Sequence, residues 1–209
     1  MRKRTKMKIN ISPVSLLWIA ILLFSRAPYP AQTALAITLH ELAHIFTARA
    51  LGVRIAGLDV GLVGARIEMA DTPSYGAELL IALAGPLSGM ICGLPALIAQ
   101  GHGANFLLGI SAAERLGFFI PFCAISLGLG LFNLLPLDSL DGGRVLSALL
   151  HMTLPPYFAD KIMRLATFFT LFAIWLLSVY LLIRCGGGLG MLVFCSIFFL
   201  KCFIFDAIK

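Results

Sequence analysis

Charge is what this sequence has least of. Only 12% of its 209 residues are Asp, Glu, Lys or Arg, and 60% are hydrophobic. A soluble domain carries about 25% charged residues, so the shortfall excludes one and the chain reads as a polytopic membrane protein. Cysteine pairs are also missing. Cys92, Cys123, Cys185, Cys195 and Cys202 form no C-x-x-C motif and lie in or beside apolar runs. They read as small buried hydrophobes, which excludes a disulfide framework or a cysteine metal site. No internal repeat and no soluble domain is visible. The first apolar run ends in Ser25-Arg26-Ala27-Pro28-Tyr29-Pro30, a poor small-residue cleavage site, so a cleavable leader is not expected.

The few charges that are present are informative by position. The net charge is +6, yet nucleic acid is not the expected partner. Arg2, Lys3, Arg4, Lys6 and Lys8 precede an apolar run, which is the pattern of a topology signal that keeps the N-terminus in the cytoplasm. Six spans follow, at about residues 11–25, 31–51, 76–99, 116–135, 162–183 and 189–205. Alternating them from a cytoplasmic start leaves only Arg26, Arg115 and Arg184 of the 16 basic residues outside, as the positive-inside rule requires. Both termini are then cytoplasmic, in a multi-pass protein of the cell membrane.

Between the spans, residues 53–71 differ in kind. Gly57, Gly61 and Gly64 interrupt short β-branched runs, so the segment reads as a hairpin or re-entrant loop. Thr72-Pro73 resembles an N-cap followed by an N1 proline. Gly85, Gly89 and Gly93 recur every fourth residue of the third span, a small-residue stripe that lets helices pack closely; Pro86 should kink that span. Gly52 is placed to close the second span. His102 and His151 fall at loop positions and read as solvated or interfacial. The expected fold is thus an all-α polytopic membrane protein, 1–209 as one domain, with about six transmembrane helices and a short β-type re-entrant loop.

The chemistry sits in the second span. His40-Glu41-Leu42-Ala43-His44 places two imidazoles one turn apart on one helix face. That spacing suits one Zn2+, with Glu41 free to act as a general base. Lipid offers no partner to such groups, and ionisable residues at membrane depth usually mark function. A hydrolytic zinc site needs three protein ligands and an open position. Asp141 is the best third ligand, since Gly142-Gly143 lets its backbone approach neighbours closely; Asp138 is its rival. Asn133 could donate to a developing oxyanion or orient the substrate carbonyl. A metal transporter or a non-catalytic membrane adaptor stands as the alternative to a protease.

These residues, together with Ala84-Gly85-Pro86, Asn133-Leu134-Leu135-Pro136 and Leu140-Asp141-Gly142-Gly143, resemble the site-2 protease family of intramembrane zinc metalloproteases. The matching core spans about residues 35–150, with extra C-terminal spans at about 160–205. The layout and the Ile11-Ser12-Pro13 opening look most like the group containing stage IV sporulation protein FB. The resemblance implies that His40, His44 and Asp141 bind zinc, that Glu41 is the catalytic base, and that Asn133 lies at the active site. It also implies that residues 53–71 form a membrane-dipping loop near the substrate. The implied activity is regulated intramembrane proteolysis near the cytoplasmic face. The substrate would be a membrane-tethered or membrane-associated regulator such as a sigma-factor precursor, acted on in the bilayer and with an inhibitory membrane partner.

Overall fold

The computed structural model describes residues 8–11, 29–61, 64–69, 73–100, 118–185 and 196. The first expected span (11–25), the sixth (189–205) and the polar segment 100–115 fall wholly or almost wholly outside these residues. The described chain runs β1 (Lys8–Ile11), α1 (Pro30–Ala50), β2 (Ile55–Gly61), β3 (Gly64–Met69), α2 (Tyr75–Gln100), α3 (Phe119–Asn133), α4 (Asp141–Thr153) and α5 (Pro156–Cys185).

Helix α1 starts with Pro30, whose missing N–H and fixed φ suit the first helical position. It stops at a glycine turn: Gly52 adopts φ 73, its N–H donates to the Arg49 carbonyl, and the Val53 N–H donates back to Ala48. This is the Schellman arrangement expected where Gly52 follows the last apolar turn. One stripe of α1 is buried, made of Gln32, Ala36, His40, His44 and Ala48. Both histidines therefore lie on the packed face, while Ile37, Leu42 and Phe46 are exposed.

Helix α2 begins two residues later than the Thr72-Pro73 reading placed it. Ser74 Oγ accepts the Ala77 N–H at 3.3 Å, so Ser74 is the cap; Thr72 lies outside the described residues. The helix continues through Pro86 to Gln100, packing against α1, α3 and α4. Its contact with α3 is backbone against backbone. A Cβ on Gly89 would sit 2.6 Å from the Ser126 carbonyl oxygen, and one on Gly130 would sit 2.7 Å from that of Pro86. Small residues at such crossings replace side-chain bulk with close backbone contact. Ala36, Phe122 and Cys123 form a buried cluster, with Cys92 packed beside it, which is the hydrophobic role expected of these two cysteines.

Among the described residues the elements are helices and one three-stranded sheet in the order β1-β2-β3. β2 and β3 pair antiparallel from Ile55↔Met69 to Gly61↔Gly64, within the segment read as a hairpin or re-entrant loop. β1 pairs parallel to β2, from Lys8↔Gly57 to Ile11↔Val60. This strand was not expected. Four residues are too few to show a period of two, and their partner is distant in the sequence. Two described helices are long and apolar enough to cross a membrane, over Tyr75–Leu94 and Pro156–Arg184, and Phe119–Asn133 is a shorter apolar helix. Helix α1 has the length, at 21 residues, but its ionisable groups lower its mean hydropathy.

Candidate metal centre

Three side chains from two helices converge on one point. His40 Nε2 lies 3.0 Å from Asp141 Oδ2, His44 Nε2 lies 3.1 Å from the same oxygen, and the two imidazole nitrogens are 3.3 Å apart. All three residues are buried or nearly so, at 4%, 3% and 9% exposure, so water does not screen the cluster. Among the described residues they are the one set of three or more ionisable ligands that could hold a metal ion. Donor atoms about 2.0–2.1 Å from a tetrahedral Zn2+ stand about 3.3 Å from each other, close to the edges of this triangle. Two imidazole nitrogens and a carboxylate oxygen are also the chemistry zinc takes.

Ring orientation supports the same fit. His44 Nδ1 is 2.6 Å from the Ile81 carbonyl, to which only an N–H can donate. That places the ring proton on Nδ1 and turns the Nε2 lone pair toward the cluster, the tautomer a metal needs. Gly85 lines the other side. A Cβ there would approach His40 Nε2 to 2.7 Å and overlap the His44 ring. The glycine stripe thus has two uses. Its first member makes room for the imidazoles, and Gly89 and Gly93 face α3.

Asp141 reaches the histidines because the chain folds tightly before it. Asn133 closes α3; Leu137 N–H donates to Leu135, and Leu140 N–H to Leu137. Leu137 and Leu140 are buried against Leu171 of α5. Side chains on Gly142 and Gly143 would run into the Leu134, Leu135 and Leu137 backbone. Only glycines let α4 begin this close to the turn, with Asp141 as its first residue. A carboxylate there is also favoured by the positive end of the helix. The structure therefore brings in Asp141; its rival Asp138 is exposed and does not join the cluster.

Glu41 is half-buried beside the stripe, on the helix turn that carries both imidazoles. Asn133 is half-buried at the end of α3, and its Nδ2 donates to the Leu129 carbonyl at 2.9 Å. Three contributors escaped the sequence reading, Glu78 and Ile81 on α2 and Arg144 on α4, and Gly85, read as part of a packing stripe, also walls the site. Arg144 Nε donates to Glu78 Oε1 at 2.8 Å, and its Nη1 stands 3.5 Å from Asp141 Oδ1. The α2 residues follow an i, i+3, i+7 pattern, the signature of one helix face. His151 is not at a loop position. It lies in the last turn of α4, stacks on Tyr75 at 5.4 Å and lies 3.4 Å from Asp160.

The sequence model of Peptidase family M50 matches residues 107–177, which include α3, the Asp141 turn, α4 and most of α5. Over 114 residues the chain is 36% identical to Zinc metalloprotease MJ0392 of Methanocaldococcus jannaschii, covering 54% of this chain and 32% of that protein. Over 116 residues it is 38% identical to Rip3 of Mycobacterium tuberculosis, covering 53% and 28%. These matches support peptidase family M50, the site-2 proteases. The chain spans about a third of the length of these curated relatives. The fold has a solved counterpart. The site-2 protease from Methanocaldococcus jannaschii aligns with a TM-score of 0.57 at 23% identity, over 98% of this chain and 91% of that one.

Proposed function

We propose that this chain is an intramembrane zinc metalloendopeptidase of the site-2 type. One observation carries the reading: two histidines from α1 and the first residue of α4 bring three ligand atoms within 3.3 Å of one another in a buried place. Ligands strung along a path, as an ion transporter would need, are a poorer description of a single closed triangle.

Zn2+ held by His40, His44 and Asp141 would polarise a carbonyl and acidify a bound water toward neutrality. Glu41, one residue beyond His40, takes the proton from the attacking water and gives it to the leaving amine. Asn133 Nδ2 carries two hydrogens, and one is committed to Leu129. The second can donate to the substrate carbonyl as charge develops on it.

The substrate in this reading is a membrane-tethered or membrane-associated regulatory protein cut near the cytoplasmic face, with a sigma-factor precursor of the sporulation type as the narrowest form. The topology supports the face. β1 pairs with β2, so the chain between them must return to the side it left, which needs an even number of crossings. The expected spans 11–25 and 31–51 supply two. The sheet then lies on the cytoplasmic side, at the end of α1 nearer His44. An unwound substrate in lipid needs new backbone partners, and the outer edge of β3 offers them by strand addition.

The test is co-expression of candidate precursors with wild type and with Glu41→Gln. The variant should keep its zinc and bind substrate but release no product; cleavage near the wild-type rate would remove Glu41 from the mechanism. In the trapped complex, crosslinkers placed on β3 should capture the substrate. Crosslinks from every other face but not from β3 would remove the sheet from substrate binding.

A further inference from the structure

A metal-binding carboxylate has two oxygens, and only one faces the histidines here. Asp141 Oδ2 joins the cluster, while Oδ1 lies 3.5 Å from Arg144 Nη1. The same guanidinium is held from its other edge: Nε and Nη2 both reach Glu78 Oε1, at 2.8 and 2.7 Å. Glu78 stands in the first turn of α2, and α2 also supplies the Ile81 carbonyl that orients His44 and the Gly85 surface against both rings. The Arg144 and Glu78 side chains are partly shielded, at 31% and 24% exposure, and Asp141 is at 12%.

We propose that Glu78 and Arg144 form a positioning pair that fixes the Asp141 carboxylate for metal binding, coupling α2 to α4 across the site. The inference rests on the metalloprotease reading above. A free Asp side chain can rotate about two bonds, and ordering it costs entropy each time a metal binds. Arg144 removes that freedom by holding Oδ1. Arg144 lies on the same helix as Asp141, three residues on, so it could follow the aspartate wherever α4 moved. Glu78 changes this, because it belongs to another helix. It pins the guanidinium to the wall that also holds His44, so all three ligands refer to one rigid frame. The planar fork matters, since it bonds to Glu78 along one edge and presents Nη1 to Asp141 at its tip; a lysine ammonium could not span both. Partners of this kind are typically worth about 10- to 100-fold in metal affinity.

The test is Zn2+ affinity of the purified full chain in detergent, measured by chelator competition, alongside thermal unfolding and cleavage. Arg144→Gln should weaken Zn2+ binding about 10- to 100-fold, with Arg144→Lys recovering only part of the loss. Glu78→Gln should weaken it less. In the Arg144→Gln background Glu78→Gln should add nothing, because Glu78 acts through the guanidinium. With Co2+ in place of zinc, the visible absorption of Arg144→Gln should shift as the carboxylate loosens. Wild-type affinity in both single variants, or additive losses in the double variant, would overturn the proposal. If Arg144→Gln does not fold, Glu78→Gln alone decides, and an unchanged Zn2+ affinity and Co2+ spectrum there would overturn it. A wild-type chain that binds zinc but cleaves nothing would sink the peptidase reading and leave this comparison of affinities intact.

Discussion

Among the described residues histidine meets aspartate in two places, and they come out differently. In one, His40 and His44 meet Asp141 with Oδ2 3.0 and 3.1 Å away and every partner buried or nearly so. In the other, His151 stands 3.4 Å from Asp160, whose side chain is 60% exposed. The residue types are the same; the surroundings are not. The first pair of rings is walled by Gly85, oriented by Ile81 and closed by a turn in which two glycines admit no side chain. The second is tied to its own helix, with His151 Nδ1 2.9 Å from the Ser147 carbonyl and the ring against an exposed tyrosine. Burial and convergence separate a ligand set from a surface contact, and residue identity alone does not.

The largest effect that would break this contrast is at the carboxylates. Asp141→Ala removes one of the three proposed ligands and leaves two imidazoles facing a vacant corner. Zinc content should fall to background and cleavage should be lost, by at least about 100-fold, since ligand losses exceed the 10- to 100-fold typical of outer partners. Metal analysis of the purified protein reads this directly. Retention of stoichiometric zinc by Asp141→Ala would end the assignment of the third ligand.

The sequence made one of these constellations legible. Two histidines four apart on an apolar helix specify their shared face by geometry alone, and Leu140-Asp141-Gly142-Gly143 marks a turn needing close backbone approach. Helix α2 was also readable, because its apolar run is long and nothing in it ends the helix before Gln100. What escaped were the interactions that depend on which helices touch. Glu78 and Arg144 meet only because α2 and α4 lie side by side, and nothing in either segment names the other as its partner. β1 escaped for the same reason: a four-residue strand exists only because β2 is next to it. His151 reads as a loop residue only if the helix stops before it; α4 runs on to Thr153, so its ring sits on a helical turn facing Tyr75.

A smaller but sharper effect is expected at glycine. Gly85→Ala keeps every ligand and the helix, and alanine favours a helix over glycine by about 1 kcal/mol. Its Cβ nevertheless falls 2.7 Å from His40 Nε2 and into the His44 ring, so the imidazoles must move. Zinc affinity and cleavage should drop about 10- to 100-fold, the scale of a disturbed metal environment. Gly76→Ala, on the same helix with nothing within 4 Å, supplies the control and should be neutral or slightly stabilising. Equal behaviour of the two variants would mean that α2 does not wall the site.

The smallest effect belongs to the outer constellation, and its smallness is the point. Asp160→Ala removes the exposed partner of His151 at the start of α5. An exposed ion pair is worth about 0–1 kcal/mol, because water screens it and two side chains must be ordered to make it. Helix α5 keeps its packing on the turn before α4 through the cluster of Leu137, Leu140 and Leu171, which the substitution does not touch. Unfolding temperature should therefore fall by a few degrees at most, with zinc content and cleavage unchanged. The measurement is informative because the two carboxylates differ in little else: each faces an imidazole, and each lies within the first turns of a helix. If Asp160→Ala instead lost zinc, the Tyr75, His151 and Asp160 contacts would be transmitting into the metal site. The direct route would be α4, which carries both His151 and Asp141. Loss of both carboxylates to the same degree would then make that helix, rather than burial, the property that unites them.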